Sequence, residues 1–273
     1  MLRLAFKPYF FALYVAFRLF FAGLFREAAA LAIASVGYWR FLPNAFVLKE
    51  LPSLNGVRIL DISSPKLLSL YLAYHGAEVY ATDLDDPKIF SRWKKFADVL
   101  SLKNYHVAYE DARQLSFPDN HFDAVYSISV IEHIPGDGDT EAIAECRRVL
   151  KPTGKLIVQV PYRRQHQEIY LDYDSKGIPQ PQKVWYERHY DKVTLATRLR
   201  CDGFAPRASF IMGEWLPIDP WIATPRLPRP LRVAILPLEP YLAAFNYWIS
   251  QEDTKGRPLG ALLLFDKIPA EGN

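Results

Sequence analysis

The stretch VRILDISSPKLLSLYLAYHGAEVYATDLD, residues 57–85, decides the fold. Val57, Ile59 and Leu60 open a β-rich apolar run that ends on Asp61, and Ser63, Ser64 and Pro65 make a tight turn. Leu67, Leu68, Tyr71 and Leu72 then recur at helical spacing until Gly76 stops the helix. Residues 78–82 alternate into a second strand that ends on Asp83. In an open α/β sheet, ligands bind outside the carboxyl ends of the strands, where the first turn meets the helix N-terminus. An acid ending the second strand, about 20 residues on, is placed to accept hydrogen bonds from a ribose hydroxyl pair.

Downstream, residues 87–102 carry the helical apolar set Trp93, Phe96, Val99 and Leu100. A third strand over 105–108 runs into Glu110, Asp111 and Ala112, and a fourth covers 122–128. A helix over 140–150, a turn over 151–154 and a fifth strand over 155–160 follow. This alternation predicts βαβ units and a mostly parallel sheet with helices on both faces. Residues 161–185 read as a long polar and aromatic loop, the kind that forms lids or binding segments. Asp191 is a predicted N-cap for a helix over 192–201 that Gly203 ends. A sixth strand lies at 208–211, a proline-rich insertion at 216–249 has a helix-like piece over 241–249, and the last strand is 260–265.

Five segments in order resemble the class I S-adenosylmethionine-dependent methyltransferases, in particular the methyltransferase type 11 group. They are ILDISSP (59–65), ATDL (81–84), EDA (110–112), FDAVYSISVIEHI (122–134) and CRRVLKPTGKL (146–156). The resemblance covers roughly 57–204 and returns at 261–268. It implies a Rossmann-like α/β fold whose mostly parallel seven-stranded sheet has an antiparallel last strand, with S-adenosylmethionine as cofactor. It further implies that Asp61, Ile62 and Ser63 approach the methionine part, that Asp83 beside Leu84 accepts from the ribose, that Asp111 and Ala112 face adenine, and that Ile128 and Ser129 line the cleft. His133, just past the fourth strand, is the candidate catalytic residue, because an imidazole can take a proton from a hydroxyl at neutral pH. His189 and Tyr186, in the aromatic cluster 185–190, rank second, and Tyr162 is a further candidate contact. No metal is expected. The family's first turn usually reads Asp-x-Gly-x-Gly-x-Gly, and here the glycine positions hold Ser63, Pro65 and Leu67. Proline fixes φ and removes an amide donor.

The 273 residues are 50% apolar and 14% aromatic, enough for a sizeable core and too apolar for disorder. A net charge of +3 gives no argument for nucleic acid. Two cysteines, Cys146 and Cys201, both in predicted helices, form no disulfide framework and suit a reducing, cytoplasmic compartment. Residues 1–48 are expected to form a helical cap on a domain spanning 49–273. Arg3, Lys7, Arg18 and Arg26 stand there without any acid up to residue 26, among Phe, Leu, Ala and Tyr. These charges interrupt each apolar run, so a membrane-spanning helix is not expected. Pro8 is expected to start the helix. A basic amphipathic helix of this composition suits an anionic membrane surface, and the insertion 216–249 is expected to be a substrate cover or a second membrane-facing patch. No small-residue cleavage site follows a short apolar core, so a cleaved signal is not expected. The leading function is methyl transfer to a small, apolar or lipid-like acceptor, with oxygen slightly ahead of carbon as acceptor atom. The alternative is a catalytically silent methyltransferase-like binding subunit, motivated by the altered first turn. An NAD-dependent dehydrogenase ranks last, since it needs Gly-x-Gly-x-x-Gly and leaves 146–156 unexplained.

Overall fold

Residue 59 faces one side of the sheet and residue 60 the other, and this alternation divides the core in two. The computed structural model describes residues 1–51, 53–64, 66–84, 87–173, 178–218, 229–253 and 256–268. The expectations for Pro65, Pro220, Pro225, Arg226 and Pro228 lie outside the described residues, as does Asp85 at the end of the opening stretch. Strand β1 (Arg58–Ile62) is followed by α4 (Lys66–Tyr74), β2 (Glu78–Asp83), α5 (Pro87–Val99), β3 (Tyr105–Tyr109) and β4 (Phe122–Ile128). Helix α6 (Gly138–Val149) leads into β5 (Leu150–Pro161). Strand β8 (Phe204–Glu214), the short β9 (Tyr247–Ser250) and β10 (Arg257–Lys267) complete the main sheet.

Among the described residues the order of that sheet is β3-β2-β1-β4-β5-β10-β8-β9. Strands β1 to β5 pair in parallel, and β10 is inserted antiparallel to both β5 and β8. The expected parallel sheet with an antiparallel final strand is therefore present, with one edge strand more than expected. Residues 247–249 were expected to continue a helix and instead form β9 with Ser250. Tyr247, Trp248 and Ile249 favour a pleated, half-buried surface, and β8 offers them an unpaired edge.

A second correction concerns residues 161–185. They hold β6 (Gln167–Tyr173) and the start of β7 (Pro179–His189), which pair antiparallel as a separate ribbon. Most of its residues are half-buried or exposed on both faces, so no clean apolar alternation marked it as strand. Helix α7 (Lys192–Arg198) starts as predicted, with Asp191 Oδ1 accepting from the Thr194 amide at 2.8 Å and Thr194 Oγ1 accepting from the Asp191 amide at 2.8 Å. It ends before Cys201, which is not helical.

The first fifty residues form α1 (Leu2–Phe21), α2 (Phe25–Ile33) and α3 (Phe41–Glu50). Pro8 lies inside α1 rather than at its start. One face of α1 buries Ala5, Tyr9, Ala12, Val15 and Leu19, and Phe11 meets Tyr71 edge-on at 5.3 Å. By length and composition alone α1 is apolar enough to cross a membrane, with mean hydropathy 1.4, and 44% of that window is buried against the rest of the chain. Helices α8 (Arg229–Ile235) and α9 (Glu239–Asn246) lie before β9, and Tyr241 of α9 packs on Phe6 and Tyr9 of α1 at 5.4 and 5.7 Å.

Candidate active site

The turn after β1 keeps its shape without glycines. Ser63 sits at φ +50, the left-handed region that glycine normally supplies, and its amide donates to the Thr82 carbonyl at 3.1 Å. Ser64 Oγ accepts from the Ile128 amide at 2.7 Å and so joins the end of β1 to the end of β4. Asp61 is fully buried, and its Oδ1 accepts from the Ser64 amide at 2.9 Å. It shapes the turn instead of presenting a carboxylate to the cleft.

Lys66, which the sequence reading did not single out, holds this region together. It is 4% exposed, and its Nζ donates to the Thr82 carbonyl at 2.7 Å and the Ser64 carbonyl at 2.9 Å. The same ammonium lies 3.5 Å from Asp61 Oδ2 and 3.9 Å from Asp83 Oδ2. Burial pushes the Asp61 carboxyl above its ordinary value, and Lys66 opposes that shift. A buried lysine on the first turn of a helix is a weak sequence signal, because its partners come from two strand ends, those of β1 and β2.

Asp83 ends β2, with Oδ1 accepting from the Leu84 amide at 2.9 Å, and Leu84 is exposed. Past β3, Asp111 is held by Arg113, whose Nε and Nη2 reach its two oxygens at 3.0 and 2.6 Å. That pair holds the Asp111 carboxyl below its usual range. Ala112 packs part-buried beside it. Ile128 is buried at the end of β4. Ser129 follows at φ +52, with its Oγ donating to Gln159 Oε1 at 3.0 Å. The predicted cofactor residues thus lie at the carboxyl ends of four strands.

The structure brings His133, Tyr186 and His189 together and adds Glu132 and Glu187. A 3-10 turn, Ile131–His133, leaves β4 toward β7. The Tyr186 carbonyl can only accept, so His133 Nδ1 donates to it across 3.1 Å, and the Tyr186 ring packs edge-on to the imidazole at 4.9 Å. Glu187 Oε1 accepts from His189 Nε2 at 2.8 Å, while its Oε2 lies 3.5 Å from His133 Nε2. Glu132 is fully buried, and burial pushes its carboxyl up to about 8, with Arg40 opposing. Tyr162 lies elsewhere, buried and bonded through its hydroxyl to Asp253 Oδ2 at 3.2 Å.

Behind β7, Asp139 anchors the ribbon to α6. Arg188 Nη1 and the Tyr190 hydroxyl donate to its Oδ2 at 2.8 and 2.7 Å, and Arg198 reaches both oxygens at 2.9 and 2.8 Å.

Residues 60–158 match the family described as "Methyltransferase domain". That match, together with the strand order and strand-end turns above, supports a class I S-adenosylmethionine-dependent methyltransferase. Among curated members it is similar to the ubiquinone/menaquinone biosynthesis C-methyltransferase UbiE of Shewanella pealeana, at 28% identity over 170 residues. That match covers 58% of this chain and 66% of the relative, just under two thirds of its length. Among solved structures the fold is similar to a putative methyltransferase of Bacillus halodurans, with TM-score 0.53, 17% identity, and 82% and 98% of the two chains covered. It is equally similar to the [4+2]-cyclase SpnF, with TM-score 0.53, 18% identity, and 86% and 87% covered. Methyltransferase-like folds therefore host more than one chemistry, and the reaction has to be argued from the site.

Proposed function

We propose that this methyltransferase-family chain transfers a methyl group from S-adenosylmethionine to an apolar, lipid-like acceptor taken from a membrane surface. The observation that carries the donor is Asp83, a carboxylate at the carboxyl end of β2 beside a turn whose serine adopts the glycine backbone conformation. Asp83 would accept from the ribose hydroxyls, Asp111 with Ala112 would face the adenine edge, and the turn 61–64 with Ile128 and Ser129 would flank the methionine part. These groups fit the cofactor's donors and its apolar ring. Bound there, the cofactor supplies an electrophilic sulfonium methyl. Rate then comes from holding the acceptor in line and excluding water, work suited to the β6–β7 ribbon beside the site. His133 and Glu187 are the proton-accepting candidates for an acceptor that begins protonated, with Tyr186 and His189 as supports. The named activity of the curated relatives, C-methylation in quinone biosynthesis, supports an apolar ring as acceptor.

The outer face of α1 and α2 supports the membrane source. Phe10, Leu13, Phe17, Phe20, Phe21 and Phe25 are exposed on the side away from the core, and the cations Arg3, Lys7 and Arg26 are exposed with them. Phe245 of α9 is 88% exposed. An apolar stripe flanked by cations, with the half-buried Glu27 of α2 beside it, suits the interface of an anionic bilayer. The test is transfer of labelled methyl from S-adenosylmethionine into the organic phase of vesicles carrying a prenylated hydroquinone. Label remaining with the donor under all conditions would reject the reading.

The silent-subunit reading keeps one supporting observation. The Lys66 ammonium lies near both Asp61 and Asp83, and a cation there competes with a positively charged sulfonium. Binding without transfer would favour that reading.

A further inference from the structure

Three chemically distinct groups converge outside the strand-end turn. The 3-10 turn after β4 supplies Glu132 and His133, and β7 supplies Glu187. Because His133 Nδ1 donates to the Tyr186 carbonyl, the neutral ring's lone pair is on Nε2. That lone pair lies 3.5 Å from Glu187 Oε2 and 3.9 Å from Glu132 Oε1. One ligand atom from each residue lies within 4.8 Å of the other two. A point equidistant from atoms so spaced is at most about 2.4 Å from each, within a few tenths of an ångström of ordinary metal–ligand lengths.

A second observation is independent of that spacing. Both carboxylate oxygens of Glu132 are buried and lack a hydrogen-bond partner among the described residues. A buried carboxylate in this state is costly. Arg40 offsets part of the charge, but its Nη1 donates to the Ile128 carbonyl at 3.2 Å. Glu132 therefore faces a lone pair and a second carboxylate, and among the described residues no hydrogen bond reaches its oxygens.

We propose that Glu132, His133 and Glu187 bind a first-row divalent cation of the Mn2+, Fe2+ or Zn2+ type. Two carboxylate oxygens and one imidazole nitrogen form a mixed hard and borderline donor set that suits these ions. Three protein ligands leave coordination positions open, as at catalytic sites. The His133 and Glu187 side chains are 36% and 19% exposed against 1% for Glu132, so an ion enters from their side. The hydrogen bonds that His133 Nδ1 donates to the Tyr186 carbonyl and His189 Nε2 donates to Glu187 fix the ligand orientations. The binding test does not rest on the methyl-transfer reading, because it uses the metal alone; a bound ion would occupy the His133 and Glu187 lone pairs otherwise available to take a proton.

The experiment is calorimetric titration of chelator-stripped full-length protein with Mn2+ and, separately, Zn2+. One saturable site per chain is expected for at least one ion, with dissociation below millimolar. Glu187→Gln and Glu132→Gln should each weaken it about tenfold or more. His166→Ala removes the neighbouring His166–Glu168 pair at 3.2 Å on the same ribbon and should leave the affinity unchanged. Circular dichroism checks folding, and if Glu132→Gln does not fold, the partly exposed Glu187→Gln variant carries the test. Absence of saturable binding at millimolar metal overturns the proposal. So does binding that survives Glu187→Gln or is lost in His166→Ala.

Discussion

Replacing Lys66 with methionine tests how the first turn is held. Methionine keeps an unbranched apolar stem of similar length and removes the ammonium. The Thr82 and Ser64 carbonyls lose donors at 2.7 and 2.9 Å, and the fully buried Asp61 loses its counter-charge at 3.5 Å. The Thr82 carbonyl keeps the Ser63 amide at 3.1 Å; a buried group left without a partner costs about 1–3 kcal/mol, and breaking a buried pair from one side about 3–5 kcal/mol. These costs overlap, so a total of about 3–5 kcal/mol is expected near pH 8. The pH dependence has a definite sign. Asp61 already has a folded-state pKa above its ordinary value because of burial, and Lys66 is what opposes the rise. Without Lys66 the folded state holds a proton that the unfolded chain releases. Stability then falls as pH climbs from the ordinary carboxylate value through the raised folded one. Urea unfolding of Lys66→Met should therefore show a larger loss at pH 8 than at pH 5. A loss under about 1 kcal/mol, or the same loss at both pH values, would refute the reasoning.

Asp139→Asn leaves Arg188 and Arg198 facing a neutral amide, and should cost about 3–5 kcal/mol at pH 7 by urea unfolding. Burial pushes Asp139 up, but the bonds from Arg198 and Tyr190 and the Arg188 charge outweigh it and hold the carboxyl below its ordinary value. Its contribution is thus present above that value and lost as pH falls through the lowered one, so the wild-type advantage should vanish in strong acid. Phe17→Ser with Phe21→Ser removes exposed apolar area from α1 without touching its packed face. Flotation with anionic vesicles should drop severalfold while melting temperature stays put, and unchanged flotation would remove the membrane face from the account.

Much of this architecture was legible because strand, turn and helix signals agreed. The run 57–62, the stop at Gly76 and the strand-end acids Asp83 and Asp111 predicted β1, α4, β2 and β3 where they lie. Three parts were not legible. The β6–β7 ribbon lacks a buried face, so the period-two signal was absent. Residues 247–250 become strand only because β8 presents an edge, a tertiary fact. Lys66, Glu132 and Glu187 gain their roles from partners on other strands, and spacing along the chain carries no trace of that. Pro8 misled because it lies beyond the first turn of α1, where a missing amide removes a helix hydrogen bond and proline is ordinarily disfavoured.

The central claim is that the ends of β1 and β2 hold S-adenosylmethionine through Asp83. Calorimetric titration of the full-length protein with S-adenosylmethionine, beside the Asp83→Ala variant, tests it directly. The account predicts saturable binding that the variant weakens by about tenfold to a hundredfold, the worth of hydrogen bonds to a charged acceptor. No binding at millimolar ligand, or equal affinity in the two proteins, would contradict it.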